Sequence, residues 1–205
     1  MAPIPVEHPK LEERTITIGS YLLAAGTAFF FVAFLFAFFY LRAVNSNGLW
    51  HSGKPGQTFE PDLGFGIGVL VCVLVSVALV RVALQELRTR ARPAWRLAGA
   101  VALLAGLAAV GLQCWEYTRL GVATSLTLEP EREGGYASVY LGWTGLFTIF
   151  AFGAMLWLET ILASARRGST VPVTTTRTGV TGLWIFLAML GLVEVIAFIL
   201  LYGVK

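Results

Sequence analysis

Charged side chains are scarce in this sequence. Only 13% of its 205 residues are charged, while 57% are hydrophobic and 22 more are glycine. A soluble domain carries about 25% charged residues, and about 45–50% apolar residues with glycine included. The composition therefore excludes a soluble globular fold and indicates a protein whose solvent is lipid. The net charge of +3 does not indicate a nucleic-acid partner, because the basic residues lie in short runs between hydrophobic segments.

Histidine and cysteine are almost absent. The two histidines, His8 and His51, lie outside the long apolar runs. Haem iron and copper in a helical bundle usually take imidazole ligands from the helices, so we expect this chain to hold no haem, copper or other metal site. Cys72 and Cys114 stand alone in apolar stretches, where thiols behave as small hydrophobic groups. The sequence also has no Ser-His-Asp set, and we expect no catalytic residues in it.

Long apolar runs dominate what remains. A helix needs about 20 residues to cross a hydrocarbon core of about 30 Å. Strands of a membrane barrel are shorter and alternate polar with apolar residues, whereas these runs are continuous. We therefore predict an all-α integral membrane bundle of five transmembrane helices, forming one domain over 1–205. The predicted spans fall near 16–41, 63–85, 95–117, 136–164 and 178–203.

The distribution of basic residues predicts the orientation. Ten of the 15 Lys and Arg residues lie on one side, in the N-terminal tail and in the second and fourth connections. Cytoplasmic loops carry an excess of Lys and Arg. We therefore expect the N-terminus to be cytoplasmic and the C-terminus to face outside.

Three glutamates lie within the apolar runs, where an unpaired charge costs at least about 2.5–3.5 kcal/mol. Glu159 lies near the predicted inner end of the fourth span, two turns before Arg166, and is expected to reach the membrane surface. Glu194 has no other charge within a helical turn. It should be protonated or face a polar partner, and both a structural hydrogen bond and a proton site remain open for it. Glu116 is the third.

Glu116 ends a stripe of small and polar residues on the third span. Residues three and four apart share one face of a helix, and a face of small residues lets another helix approach closely. We therefore expect Gln113 and Glu116 to be buried and to bond to a neighbouring helix, with proton handling as the alternative. Glycines of the third and fourth spans should pack against each other or against a partner helix. The stripe consists of Gly99, Ala102, Gly106, Ala109, Gln113 and Glu116, and the fourth span contributes Gly142 and Gly145.

Glycines also recur at the start of the second span, at Gly64, Gly66 and Gly68. A phosphate-binding loop needs a preceding strand and a following Lys or Asp, and this segment has neither. We interpret these glycines as positions of close helix packing.

Four stretches together resemble subunit III of haem-copper oxidases, the cytochrome c and quinol oxidases, in the bacterial form with five helices. The family has a Phe-rich first helix ending in Ala-Phe-Tyr, a Leu-Gln-x-x-Glu-Tyr segment, a Thr-Gly pair after a Gly-x-Tyr start, and an acidic residue in a Val-Asp-Val-like stretch. The corresponding stretches are AFFFVAFLFAFFY at 28–40, LQCWEY at 112–117, GYASVYLGWTG at 135–145 and LVEVI at 192–196. The matching residues are Gln113, Glu116, Tyr117, Thr144, Gly145 and Glu194.

The chain also departs from the family pattern. Where the family has a glutamate in the first of these helices, this sequence has Thr27 or Ala28. Phe147 and Phe150 stand where the family has histidines after the Thr-Gly pair, and Gly191 stands where it has a histidine before the last acidic residue. Because of these differences, the sequence resembles a divergent member of the subunit III family.

The resemblance implies a non-catalytic subunit of a respiratory terminal oxidase in a bacterial plasma membrane. Such a subunit binds no cofactor, packs against catalytic subunit I, which holds the haem and copper, and contacts other respiratory subunits. It binds phospholipid between its helices and supports proton uptake and oxygen access. The matching residues would then be structural or would contact protons or lipid. Three alternatives remain: an accessory protein of a nitric oxide reductase, a transiently bound assembly factor, and a small transporter.

Overall fold

The computed structural model describes residues 9–44, 50, 61–89, 92–120, 130–166 and 173–203. All the regular structure in these residues is helical, and five helices are long and apolar enough to cross a membrane. The prediction of an all-α protein with five such helices is confirmed. His8 and His51 lie outside the described residues. The elements are α1 (Pro9–Val44), α2 (Leu63–Thr89), α3 (Arg92–Arg119), α4 (Pro130–Arg166), α5 (Val173–Phe198) and a π-helical turn (Ile199–Gly203).

Most of the helices are longer than the predicted spans. α1 begins at Pro9 rather than near residue 16, and α4 begins at Pro130 rather than near residue 136. Hydropathy marks only the part of a helix that lies in hydrocarbon, while backbone hydrogen bonds continue beyond it. Proline favours a helix start, because its missing N–H belongs to a first turn where no partner is needed.

The bundle is built around α4 and α5. α2 and α3 form a closely packed antiparallel pair, α5 contacts α1, α2 and α4, and α4 contacts α1, α3 and α5. Within the most apolar stretch of each helix, 44% of α5 is buried inside the protein, whereas only 22% of α1 is buried. α1 therefore lies at the edge and presents most of its apolar surface outward.

The aromatic side chains of α1 divide between the core and the outer surface. Phe31 packs against Trp143 of α4, with ring centroids 5.9 Å apart, and Phe38 packs against Trp50 at 5.3 Å. An outward apolar face is the normal state of a helix in lipid. The exposed aromatic residues of α1 are Tyr21, Phe29, Phe30, Phe36, Phe39 and Tyr40.

Polar contacts between helices supplement the apolar packing. The Ser76 hydroxyl of α2 donates to the Ala102 carbonyl of α3 at 2.9 Å. The Arg96 guanidinium donates to the Ala165 carbonyl at 2.8 Å and so satisfies a carbonyl in the last turn of α4. The final residues of α1, α3 and α5 and the first residues of α2 and α4 all lie at one end of the bundle, which we call the Glu116 end.

Candidate functional site

A buried group of polar side chains occupies the Glu116 end. Gln113 and Glu116 come from the last turns of α3, Tyr140 from the early part of α4, and Tyr202 from the π-helical turn. We call these four residues the Glu116 cluster. Gln113 is 4% exposed and Glu116 is 1% exposed, so the burial expected from the stripe on α3 is observed.

Three donors converge on the Glu116 carboxyl group. The Tyr140 hydroxyl donates to Oε2 at 2.6 Å, and the Gln113 side-chain amide donates to the same oxygen at 3.2 Å. The backbone N–H of Asp62 donates to Oε1 at 3.1 Å. These donors come from α4, from α3 itself and from the residue before α2. A single carboxyl group therefore joins three segments of the chain.

The cluster continues from Tyr140 to Tyr202, whose hydroxyl oxygens are 3.0 Å apart. A phenol carries one hydrogen, and that of Tyr140 is directed to Glu116. Tyr202 is therefore the donor to Tyr140, and the hydrogen bonds run from Tyr202 through Tyr140 to Glu116. The Tyr202 ring lies against Gly66 of α2, where an added Cβ would come within 2.6 Å of Cζ. This glycine provides room for the ring, as expected for a close-packing position.

The π-helical turn fixes the end of α5 beside α4. The Tyr136 hydroxyl donates to the Leu201 carbonyl at 2.6 Å, and the Tyr136 backbone N–H donates to the Trp50 carbonyl at 3.0 Å. The last carbonyls of a helix have no partner within it, and Tyr136 supplies one. Tyr202 follows Leu201 directly, so this bond also sets the position of Tyr202.

A second link between α3 and α4 lies beside the cluster. The Tyr117 hydroxyl donates to Thr144 Oγ1 at 2.7 Å, and the Thr144 hydroxyl donates to the Tyr140 carbonyl at 2.7 Å. A Cβ added at Gly145 would lie 3.8 Å from the Tyr117 hydroxyl oxygen. Five of the six residues that match the family pattern are thus brought together. Glu194 is the sixth.

Glu194 lies apart from the cluster. It is 7% exposed, and the hydrogen bonds found in the described part of the chain include none to its carboxyl group. It is within electrostatic range of Glu116 and Tyr202 but not bonded to them. Of the two expectations for Glu194, a polar partner is not observed among the described residues, and protonation stays a prediction. Glu159, in contrast, is exposed, and its position at the membrane surface stays a prediction.

Asp62 connects the cluster to the surface. Its Oδ1 accepts the backbone N–H of Gly64 at 2.8 Å, which caps the N-terminus of α2. Its Oδ2 pairs with Arg119 at 3.1 Å, where both side chains are about half exposed. Sequence reasoning did not identify Asp62, although an Asp immediately before an apolar helical run is a standard capping signal.

The glycines predicted to mediate packing face two different helices. A Cβ at Gly99 would lie 3.0 Å from Leu162, and one at Gly106 would meet Met155, so the α3 glycines face α4. Gly142 faces α1 instead, where a Cβ would come within 2.6 Å of Phe34. The fourth helix therefore does not meet α3 through Gly142.

A cavity of about 370 Å³ lies between α1, α4 and α5 at the opposite end of the bundle. Its walls combine apolar and aromatic surface with hydroxyl groups, a mixture that suits an apolar chain with a polar head. The lining residues are Ile16, Trp157, Ile161, Ser164, Thr175, Thr176 and Gly179.

Neither protein-family models nor curated proteins match this sequence. In the part of the chain that the structure describes, no group of three or more His, Cys, Asp or Glu side chains is close enough to hold a metal ion. The absence of a metal site in the whole chain stays a prediction, because both histidines lie outside that part.

Proposed function

We propose that this chain is a non-catalytic, cofactor-free subunit of a respiratory terminal oxidase, corresponding to subunit III of haem-copper oxidases. The observation that carries the proposal is the contact between the two most specific stretches of the resemblance. Residues 112–117 and 135–145 bond to each other through Glu116 with Tyr140 and through Tyr117 with Thr144. Two stretches chosen on sequence alone thus form one hydrogen-bonded unit.

The bonding within that unit supports a structural companion over a transporter. A transport path needs polar side chains that line an open route. Glu116, Gln113 and Tyr117 instead direct their polar groups to other residues of the bundle. The carboxyl group of Glu116 accepts three hydrogen bonds from them. Such bonds hold helices together in lipid, where polar groups have few other partners.

The proposal includes an orientation, a location and partners. The N-terminus is cytoplasmic and the C-terminus faces outside, in a bacterial plasma membrane, so the Glu116 cluster lies near the outer surface. The principal partner is catalytic subunit I, which holds the haem and copper of the complex. Other respiratory subunits and lipid cover the exposed face of α1.

Phospholipid is the ligand we propose for the cavity between α1, α4 and α5. Its hydroxyl-bearing walls lie at the predicted cytoplasmic end, and the exposed Arg14 and Arg177 lie close in sequence to lining residues Ile16 and Thr176. These cations are suited to a lipid phosphate. Lipid analysis of the purified chain should find phospholipid retained, and Gly179→Leu, which fills the cavity, should remove it while Gly111→Leu does not.

The function is tested by isolating the chain with its neighbours. A tagged chain is purified from native membranes in a mild detergent, and untagged membranes serve as the control. We expect a reduced-minus-oxidised haem spectrum, oxygen reduction, and a large histidine-rich membrane protein in equal amount. A colourless preparation without a partner would contradict the proposal. Nitric oxide consumption without oxygen consumption would indicate the reductase accessory, and a substoichiometric partner would indicate an assembly factor.

A further inference from the structure

Four oxidisable aromatic rings form a row through the Glu116 end. The ring centroids of Tyr202 and Tyr140 are 6.2 Å apart, those of Tyr140 and Tyr136 are 6.2 Å apart, and those of Tyr136 and Trp50 are 5.8 Å apart. Tyrosine and tryptophan are the aromatic side chains that lose an electron most readily. Rings at this spacing are close enough for an electron to pass between neighbours.

The proton partners distinguish the three tyrosines of this row. A phenol that loses an electron also gives up its hydroxyl proton, so a stable tyrosyl radical needs a proton acceptor within a hydrogen bond. The Tyr136 hydroxyl donates to a backbone carbonyl, which is a poor base, and Tyr202 is assigned as a donor to another phenol. Tyr140 donates to a carboxyl oxygen at 2.6 Å. Among the three tyrosines, Tyr140 is therefore the residue on which a tyrosyl radical should be most stable.

We propose that Tyr140 is a redox-active tyrosine and that Glu116 is its proton acceptor. A one-electron oxidant of the reactive-oxygen class removes one electron from the row, and the Tyr140 O–H bond breaks as its proton passes to Glu116 Oε2. The products are a neutral Tyr140 radical, a protonated Glu116 and the oxidant reduced by one electron. Return of one electron from a donor restores the phenol, and the proton moves back. Only the source of the oxidant rests on the proposed function, since an oxygen-reducing partner would supply it.

The site can be tested in the full-length chain without any partner. The chain is placed in lipid nanodiscs with a photo-oxidant, ruthenium tris-bipyridine with persulfate as electron acceptor, and is frozen after a flash for electron paramagnetic resonance. Tyr21 and Tyr40 are exposed, so both are replaced by phenylalanine in the parent protein to remove direct surface oxidation. We expect a tyrosyl radical signal that narrows when the tyrosine rings are deuterated.

Variants locate the radical and its proton acceptor. Tyr140→Phe should reduce the signal to the level seen without a flash, while Tyr117→Phe, which removes a hydroxyl bonded to Thr144 rather than to a carboxyl group, should leave it unchanged. Glu116→Gln keeps a hydrogen-bond acceptor but removes the base, so it should also abolish the signal. Glu159→Gln is its exposed control.

Four results would overturn the proposal: no tyrosyl radical in the parent protein, a signal that survives Tyr140→Phe, a signal that survives Glu116→Gln, or an equal loss in Tyr117→Phe. Circular dichroism and thermal unfolding establish that each variant is folded. If Tyr140→Phe does not fold, the proposal is tested by comparing the radical signal of Glu116→Gln with that of Glu159→Gln. The oxidant is added from outside, so failure here leaves the oxidase proposal standing, and loss of the oxidase proposal leaves this site standing.

Discussion

The bond between Tyr140 and Glu116 should be among the strongest polar links in the bundle. The two oxygens are 2.6 Å apart and both side chains are buried. A hydrogen bond to a charged group contributes about 1.5–3 kcal/mol in soluble proteins. Hydrogen bonds between membrane helices contribute less, with an average of about 0.6 and a maximum of about 1.7 kcal/mol. The short distance and the full burial place this bond at the upper end of the membrane range, at about 1–1.7 kcal/mol.

A double-mutant cycle measures that coupling energy. Tyr140→Phe removes the donor, and Glu116→Met removes the acceptor with little change of side-chain shape. The free energy of unfolding is measured for the wild type, both single variants and the double variant, in mixed micelles with rising denaturing detergent and tryptophan fluorescence as the signal. Tyr140→Phe alone should cost about 1–3 kcal/mol, because it also removes the contact with Tyr202.

A second cycle provides the reference for a neutral pair. Tyr117→Phe and Thr144→Val remove a bond of 2.7 Å in which neither group is charged. Its coupling energy should lie near the membrane average of about 0.6 kcal/mol. Independent sites add within about 0.3–0.5 kcal/mol. A coupling energy between Tyr140 and Glu116 that differs from zero by less than about 0.3–0.5 kcal/mol would refute the reasoning.

The remaining predictions use the same unfolding assay. Gly66→Ala should destabilise by about 1–3 kcal/mol because its Cβ would collide with the Tyr202 ring, whereas Gly111→Ala, with nothing within 4 Å, should stabilise by up to about 1 kcal/mol; equal effects would contradict the packing. Asp62→Ala should cost about 0.5–2 kcal/mol through the lost helix cap. High salt screens the exposed ion pair of Asp62 with Arg119, which contributes only about 0–1 kcal/mol. High salt should therefore not reproduce the loss of stability caused by Asp62→Ala. Glu194→Met should leave stability unchanged or raise it, since no described residue bonds to this carboxyl group; a loss as large as that of Glu116→Met would show a missing partner.

The sequence predicted those parts of the fold that depend on composition and on helical spacing. Long apolar runs define membrane helices wherever they occur, because the backbone has no other way to satisfy its polar groups in lipid. The stripe of α3 predicted the burial of Gln113 and Glu116, since residues three and four apart share a face regardless of what covers that face. The identity of the covering helix was not available from this pattern, because helical spacing describes one helix at a time.

The partners of Glu116 required the tertiary structure. Tyr136 and Tyr140 are four residues apart and share one face of α4, so nothing local selects one of them as the donor. Asp62 contributes its backbone N–H, and every residue type except proline would offer the same group. Gly142 was grouped with the α3 glycines by residue type alone, while its position on α4 directs it to α1.

The π-helical turn shows why the C-terminal part of the site could not be predicted. Tyr202 reaches Tyr140 because the backbone widens over Ile199–Gly203 and because the Tyr136 hydroxyl holds the Leu201 carbonyl. The apolar residues around this turn would equally favour a continuous α-helix, in which Tyr202 would be displaced around the helix axis. A bond from α4 and a glycine on α2 together select the observed geometry. The π-helical turn, α4 and α2 therefore specify one another's positions, and the donor to Tyr140 exists only once they have packed.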